Sequence, residues 1–170
     1  VDQHAASERV EYEKIIKKFK SADKKGQELL VPKKLELSPS MKVILKENLE
    51  KLRNFGFDFT EKTEDGNLTV YISKFPYIFH KGVEFGVIED FLEELLSQES
   101  NALETSQDEI LQLMACHSAI RAGDKLEPRE IWKLLMDLDA CDDPHHCCHG
   151  RPTWIRKSFN WLEKEFKRIV

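Results

Sequence analysis

From Gln3 to Ser21 the apolar residues Tyr12, Ile15 and Phe19 recur at three and four positions, which predicts a helix with one inward face. At ~100° per residue, His4 and Glu8 fall on that same face. This pair is the tightest constraint in the sequence. A carboxylate and an imidazole aimed into a core must be hydrogen-bonded or ligated, because a buried bare carboxylate is strongly unfavourable. Any fold open to this chain has to supply their partners. A His–Glu hydrogen bond at a helix start, where Glu also suits the dipole, meets the need as well as a metal does. Glu13 lies on another face of the wheel and is not expected to share an ion with Glu8.

A second constellation stands far along the chain, at His145-His146-Cys147-Cys148-His149-Gly150-Arg151-Pro152. Thiolate and imidazole are the donors zinc prefers, and Cys147 and His149 can converge on one ion if the loop is extended between them. Gly150 frees the backbone for the bend. A local site built from Cys141, Cys147, Cys148 and nearby His is an alternative, as are free thiols in a polar loop. Cys116 sits in Met114-Ala115-Cys116-His117, where it is either packing or a further soft ligand. Four Cys among 170 residues are too few for a disulfide scaffold. Three of them crowded beside His read as metal chemistry in a reducing compartment.

Hydrophobic residues make up 41% and charged residues 34%, enough apolar material for a core and too much for a disordered tail. The longest apolar runs are as short as Leu29-Leu30-Val31, so no segment is expected to span a bilayer. The chain opens on Val1-Asp2-Gln3-His4 without an initiator Met or signal peptide, as an excised piece would. Net charge is −5, which argues against a dedicated nucleic-acid binder, but the charge is unevenly spread. Arg9 to Lys34 holds nine basic against four acidic residues, and Arg151 to Val170 six against two. Glu84 to Asp143 holds four basic against sixteen acidic. Basic ends permit a phosphate-facing surface, although charge runs are more often solvated faces.

Patterning gives an α+β class, because strands and helices are segregated rather than strictly alternating. Leu29 to Leu37 reads as extended and, with Pro32 inside it, as an edge strand or loop. Ser38-Pro39 opens a second helix running to about Asn54. Phe55 to Thr60 and Leu68 to Ser73 read as strands joined through Glu64-Asp65-Gly66-Asn67. Helices are predicted at Phe85 to Leu96, Gln107 to Ala122, Glu127 to Leu138 and Ser158 to Arg168, with a polar linker from Ser97 to Ser106.

The two constellations lie within longer motifs. Asp2-Gln3-His4-Ala5-Ala6-Ser7-Glu8-Arg9-Val10-Glu11-Tyr12-Glu13 matches the DQHA-x2-E-x4-E motif of the endonuclease-type MutL mismatch-repair proteins. Ala115-Cys116-His117-Ser118-Ala119-Ile120-Arg121 resembles that family's AC-x-x-A-[IV]-[KR] helix. Cys147-Cys148-His149-Gly150-Arg151-Pro152-Thr153 is similar to its C-P-H-G-R-P-T segment, and Phe166-Lys167-Arg168 to its closing F-x-R. The order is the family's. Cys148 departs from it, standing where the family usually has Pro, and the extra thiol can compete as a ligand. The strands that precede the DQHA motif in family members, and their ATPase domain, are not in these 170 residues.

The resemblance implies a dimerisation subdomain, residues 1–26 and 104–170, holding the nuclease site, with an inserted external regulatory subdomain at 27–103. It implies that His4, Glu8, Cys116, Cys147 and His149 gather around one or two divalent ions, with Asp2, His4 and Glu8 serving catalysis. Zinc suits the Cys and His donors, and an oxygen-rich position would take Mn²⁺ or Mg²⁺. Gln27-Glu28-Leu29-Leu30-Val31-Pro32 resembles the family's Q-x-x-[LI]-x-P peptide for the replication sliding clamp, with Gln27, Leu30 and Pro32 as anchors. The implied partners are a second copy, duplex DNA bound weakly and without sequence preference, the clamp, and a mismatch-recognition protein of the MutS type. No membrane is implied, and the setting would be the cytoplasm, at the nucleoid. The other reading is a non-catalytic dimerisation and docking module with a structural zinc.

Overall fold

A computed structural model of the protein describes residues 1–20, 26–64, 67–80, 85–97, 106–121 and 123–168. The chain divides into two compact units, Val1–Val10 with Ile120–Val170, and Glu11–Ala119. Helix α1 (Gln3–Lys20) supplies its first residues to one and the rest to the other. Elements are mixed and the only sheet among the described residues is antiparallel, so the class is α+β.

The Glu11–Ala119 unit is built on three strands, β1 (Gly26–Leu35), β2 (Asp58–Glu64) and β3 (Asn67–Pro76), in the order β1-β3-β2. Helices α2 (Pro39–Glu47), α3 (Leu49–Asn54), α4 (Phe85–Ser97) and α5 (Gln107–Ser118) complete it, with a 3₁₀ turn at Tyr77–His80. Its largely aliphatic core encloses a cluster of phenylalanines. Phe57 and Phe91 stack at 5.5 Å between ring centroids, and Phe79 packs against both. Fully burying one such ring contributes roughly 1.5–3 kcal/mol. Gly26 is required where β1 begins, since a Cβ there would meet the Gly56 and Phe75 carbonyl oxygens at 2.5 and 2.7 Å.

Several boundaries differ from the periodic reading. The helix predicted from Ser38 to Asn54 breaks at Asn48, whose φ of −109° leaves the helical range. The Asn48 side chain donates to the Ile44 carbonyl at 2.8 Å, the local competition that disfavours Asn inside helices. The strand predicted from Phe55 starts at Asp58, because Phe55 caps α3 and Gly56 turns the chain at φ 95°. Helix α5 stops at Ser118, where the hydroxyl donates to the Met114 and Ala115 carbonyls and Ala119 turns extended. The tip Asp65-Gly66, most of the predicted linker and Ala122 lie outside the described residues.

The other unit packs the start of α1 against helix α6 (Pro128–Asp139). Ala6 and Val10 meet Leu134 and Leu138, with Ile120, Leu126 and Cys141 around them. Pro128 at the first turn and the reciprocal Glu127–Glu130 capping box start α6 cleanly. Helix α7 (Phe159–Glu165) is shorter than predicted, capped by the Ser158 hydroxyl accepting from Trp161 N. No helix among the described residues is long and apolar enough to cross a membrane.

Candidate metal centre

The site grows from the first turn of α1. Asp2 occupies the N-cap position, its Oδ1 accepting from His4 N at 2.9 Å and Ala5 N at 3.1 Å. That cap sets the helix phase which turns Glu8 inward, where it is only 1% exposed. His4 Nε2 lies 3.3 Å from Glu8 Oε1. On the far side of the ring, His4 Nδ1 lies 2.8 Å from the Ile120 carbonyl. A carbonyl can only accept, so Nδ1 carries a hydrogen. In the neutral ring Nε2 then presents a lone pair to the carboxylate. Two acceptors face each other, an arrangement that a cation between them, proton or metal, relieves.

The second element is the loop predicted to carry thiols and imidazoles. It folds as a miniature hairpin. His146 bridges Pro152, Cys147 N donates to Arg151 O at 2.8 Å, and Gly150 N donates to Cys147 O at 3.0 Å. Gly150 has φ 79°, a conformation that disfavours any Cβ. Thr153, fully buried, donates its hydroxyl to the Pro144 carbonyl, and its own carbonyl accepts from Asp2 N at 2.8 Å. Arg9 clamps the same loop through His146 O at 2.5 Å and Cys147 O at 3.2 Å, with Asp143 at 3.6 Å. Sequence reasoning missed Arg9. It falls at an unspecified position of the matched motif, so no signal in the sequence marked it.

The loop delivers His149 to Glu8, with Nδ1 3.4 Å from both carboxylate oxygens. Cys148 Sγ lies 3.6 Å from the same nitrogen, and one donor atom each from Glu8, Cys148 and His149 lie within 4.8 Å of one another. Cys147 is buried, its Sγ accepting from His149 N at 3.4 Å. Burial, and then the hydrogen bond with Glu8, raise its pKa. Burial pushes the Cys148 thiol up to about 12, with the Glu8 charge and Cys147 adding to it. The backbone N–H of His145 leads in lowering the Asp143 carboxyl, helped by Arg9 and His146.

The donor chemistry fits a divalent ion. Two nitrogen or oxygen ligands about 2.0–2.1 Å from zinc at a tetrahedral angle stand roughly 3.3–3.4 Å apart. The His4–Glu8 and Glu8–His149 separations have that length. Cys116 lies in the other unit, half-buried on α5. Glu13, read as off the inward face, is also largely buried and pairs with Lys17 at 3.5 Å.

The clamp-like peptide occupies β1, at the sheet edge. Gln27 stands opposite Phe75, but the register slips between Glu28 and Lys33, so Leu29 to Pro32 bulge from the ladder opposite Ser73. Leu30 is fully exposed, Pro32 is exposed, and Leu29 turns partly inward against the core.

Comparison with known proteins agrees with these motifs. Residues 1–126 match the family described as MutL C terminal dimerisation domain. The chain belongs to that family. It is 37% identical over 170 residues, its whole length, to the DNA mismatch repair protein MutL of Shouchella clausii (strain KSM-K16). Over 173 aligned positions and 99% of the chain it is 38% identical to that of Clostridium botulinum (strain Okra / Type B1). Against the protein of Endomicrobium trichonymphae it is 34% identical over 98% of the chain. The chain spans about a quarter of the length of these MutL relatives, 26%, 25% and 27% in turn.

Proposed function

We propose that this MutL-family domain is a metal-dependent endonuclease that nicks duplex DNA in mismatch repair, without regard to sequence, and that also dimerises. The observation that carries the reading is Glu8, a fully buried carboxylate with imidazole nitrogens of His4 and His149 within 3.4 Å. His4, Glu8 and His149 would hold the ion, and Cys116 and Cys147 are the soft ligands the resemblance adds. When bound, a divalent ion would polarise the scissile phosphate and lower the pKa of an attacking water. Zinc suits the Cys/His donors, while turnover would use Mn²⁺ or Mg²⁺ on oxygen ligands.

The chain's own residues prepare this chemistry. Ile120 O fixes the His4 tautomer, Arg9 and Thr153 fix the loop, and the Asp2 cap fixes the helix. Asp2 would act as a catalytic carboxylate beside its capping role. Exposed Arg151, Arg156 and Lys157 follow His149 along the chain, and Lys17, Lys18 and Lys20 close α1. So few cations against a net charge of −5 support weak, backbone-directed, salt-sensitive DNA binding.

A sliding clamp encircling DNA would raise the effective concentration of so weak a binder, and the exposed Gln27, Leu30 and Pro32 suit that contact. Residues 27–103 would be the regulatory subdomain, and 1–26 with 104–170 the dimerisation subdomain. A MutS-type mismatch-recognition protein would direct the domain, in the cytoplasm at the nucleoid. A second copy would cover Ile131, Trp132 and Met136, exposed on α6, where a groove of about 390 Å³ runs to His145 and Trp154. That apolar surface also favours the other reading, a docking module whose zinc is structural.

Supercoiled plasmid with Mn²⁺ separates the two. The nuclease reading expects open circles, and Glu8→Gln should slow their formation by about 10²-fold or more, as when a reacting centre loses a charge-stabilising group. Equal rates for both proteins, or zinc-loaded protein without nicking, would overturn it.

A further inference from the structure

The family's Pro position is occupied here by Cys148, and its side chain is not spent on solvent. Its Sγ stands 3.6 Å from His149 Nδ1, which in turn stands 3.4 Å from the Glu8 carboxylate. A sulfur ligand about 2.3 Å and a nitrogen ligand about 2.0–2.1 Å from one tetrahedral zinc are roughly 3.5–3.6 Å apart. The three donor atoms lie within 4.8 Å of one another, and one belongs to a carboxylate that is almost fully buried. Cys147, proposed above as a ligand, is buried, and its sulfur takes the His149 N–H and so sets the turn that presents the next two side chains.

We propose that Cys148 supplies a thiolate ligand to the ion held by Glu8 and His149, and that this biases the corner toward soft divalent cations such as Zn²⁺ over Mn²⁺. The inference rests on the metal-binding reading above. On binding, the thiol proton leaves to solvent and the sulfur lone pair enters the metal's coordination shell. Adding a thiolate to imidazole and carboxylate shifts preference from hard oxygen-seeking ions to zinc, cobalt and cadmium.

The test loads the full chain with Co²⁺ and reads the sulfur-to-cobalt charge-transfer band, which reports thiolate ligands directly. Zn²⁺ and Mn²⁺ affinities are measured alongside. Cys148→Ser and Cys148→Pro should each lose one thiolate's share of the band per bound cobalt. Zn²⁺ affinity should fall by about 10-fold or more, with Mn²⁺ affinity little changed. The Pro variant restores the residue usual in the family, so a folded Pro protein guards against a local defect in the Ser protein. If both variants keep the band and the Zn²⁺ affinity while Glu8→Gln loses metal, Cys148 is not a ligand and the metal centre stands without it. If the unaltered chain takes up no Co²⁺, the metal reading and this one fall together.

Discussion

Asp2 carries two roles that one pair of substitutions pulls apart. As a helix cap it accepts from two backbone N–H groups. Asn caps as well as Asp, whereas Ala costs about 1 kcal/mol. Asp2→Asn should therefore melt like the parent yet lose Mn²⁺-dependent nicking, while Asp2→Ala should lose both. Full activity in a stable Asp2→Asn protein would leave Asp2 purely structural. At this scale the sequence was legible wherever a residue type and a helical phase sufficed. The phase of Tyr12, Ile15 and Phe19 was enough to place Glu8 inside. It could not reveal Arg9, because its partners are mainly carbonyls, which every residue carries. Nor could spacing say that the Cys148 sulfur also lies near Glu8 and His149, since a bent loop breaks the alternation of an extended one.

Among the elements, β1 is the most informative. An edge strand with apolar residues invites pairing with other chains, and bulges are one way natural sheets manage that exposure. Here the bulge turns Leu30 and Pro32 outward, so a clamp contact would use side chains that the fold does not need. Gln27→Ala with Leu30→Ala should leave the melting free energy within about 0.5 kcal/mol, as exposed positions do. The same double variant should abolish clamp binding and clamp-stimulated nicking. Loss of basal nicking or a large drop in melting temperature would assign these residues to folding instead. Most element types were readable from periodicity. The misjudged ends lie at Asn48, Gly56 and Ser118, where a side chain or a positive φ diverts the backbone locally while the apolar pattern runs on.

For the molecule as a whole, family membership supplies a dimerisation domain, and α6 supplies the face a second copy would cover. Trp132 and Met136 are each 69% exposed, costly for side chains with so much apolar area. Trp132→Glu with Met136→Glu should convert dimer to monomer in light scattering, with α6 still folded because Leu134 and Leu138 hold its core side. An unchanged dimer would move the interface elsewhere. The central claim, though, is that Glu8 is buried because it binds a metal. Elemental analysis of the purified protein decides this most directly. Zinc should be bound in the parent, fall markedly in Glu8→Ala, and persist in Cys141→Ser. Unchanged zinc in Glu8→Ala, with zinc lost from Cys141→Ser, would mean a local site in the Cys/His loop and would contradict the account.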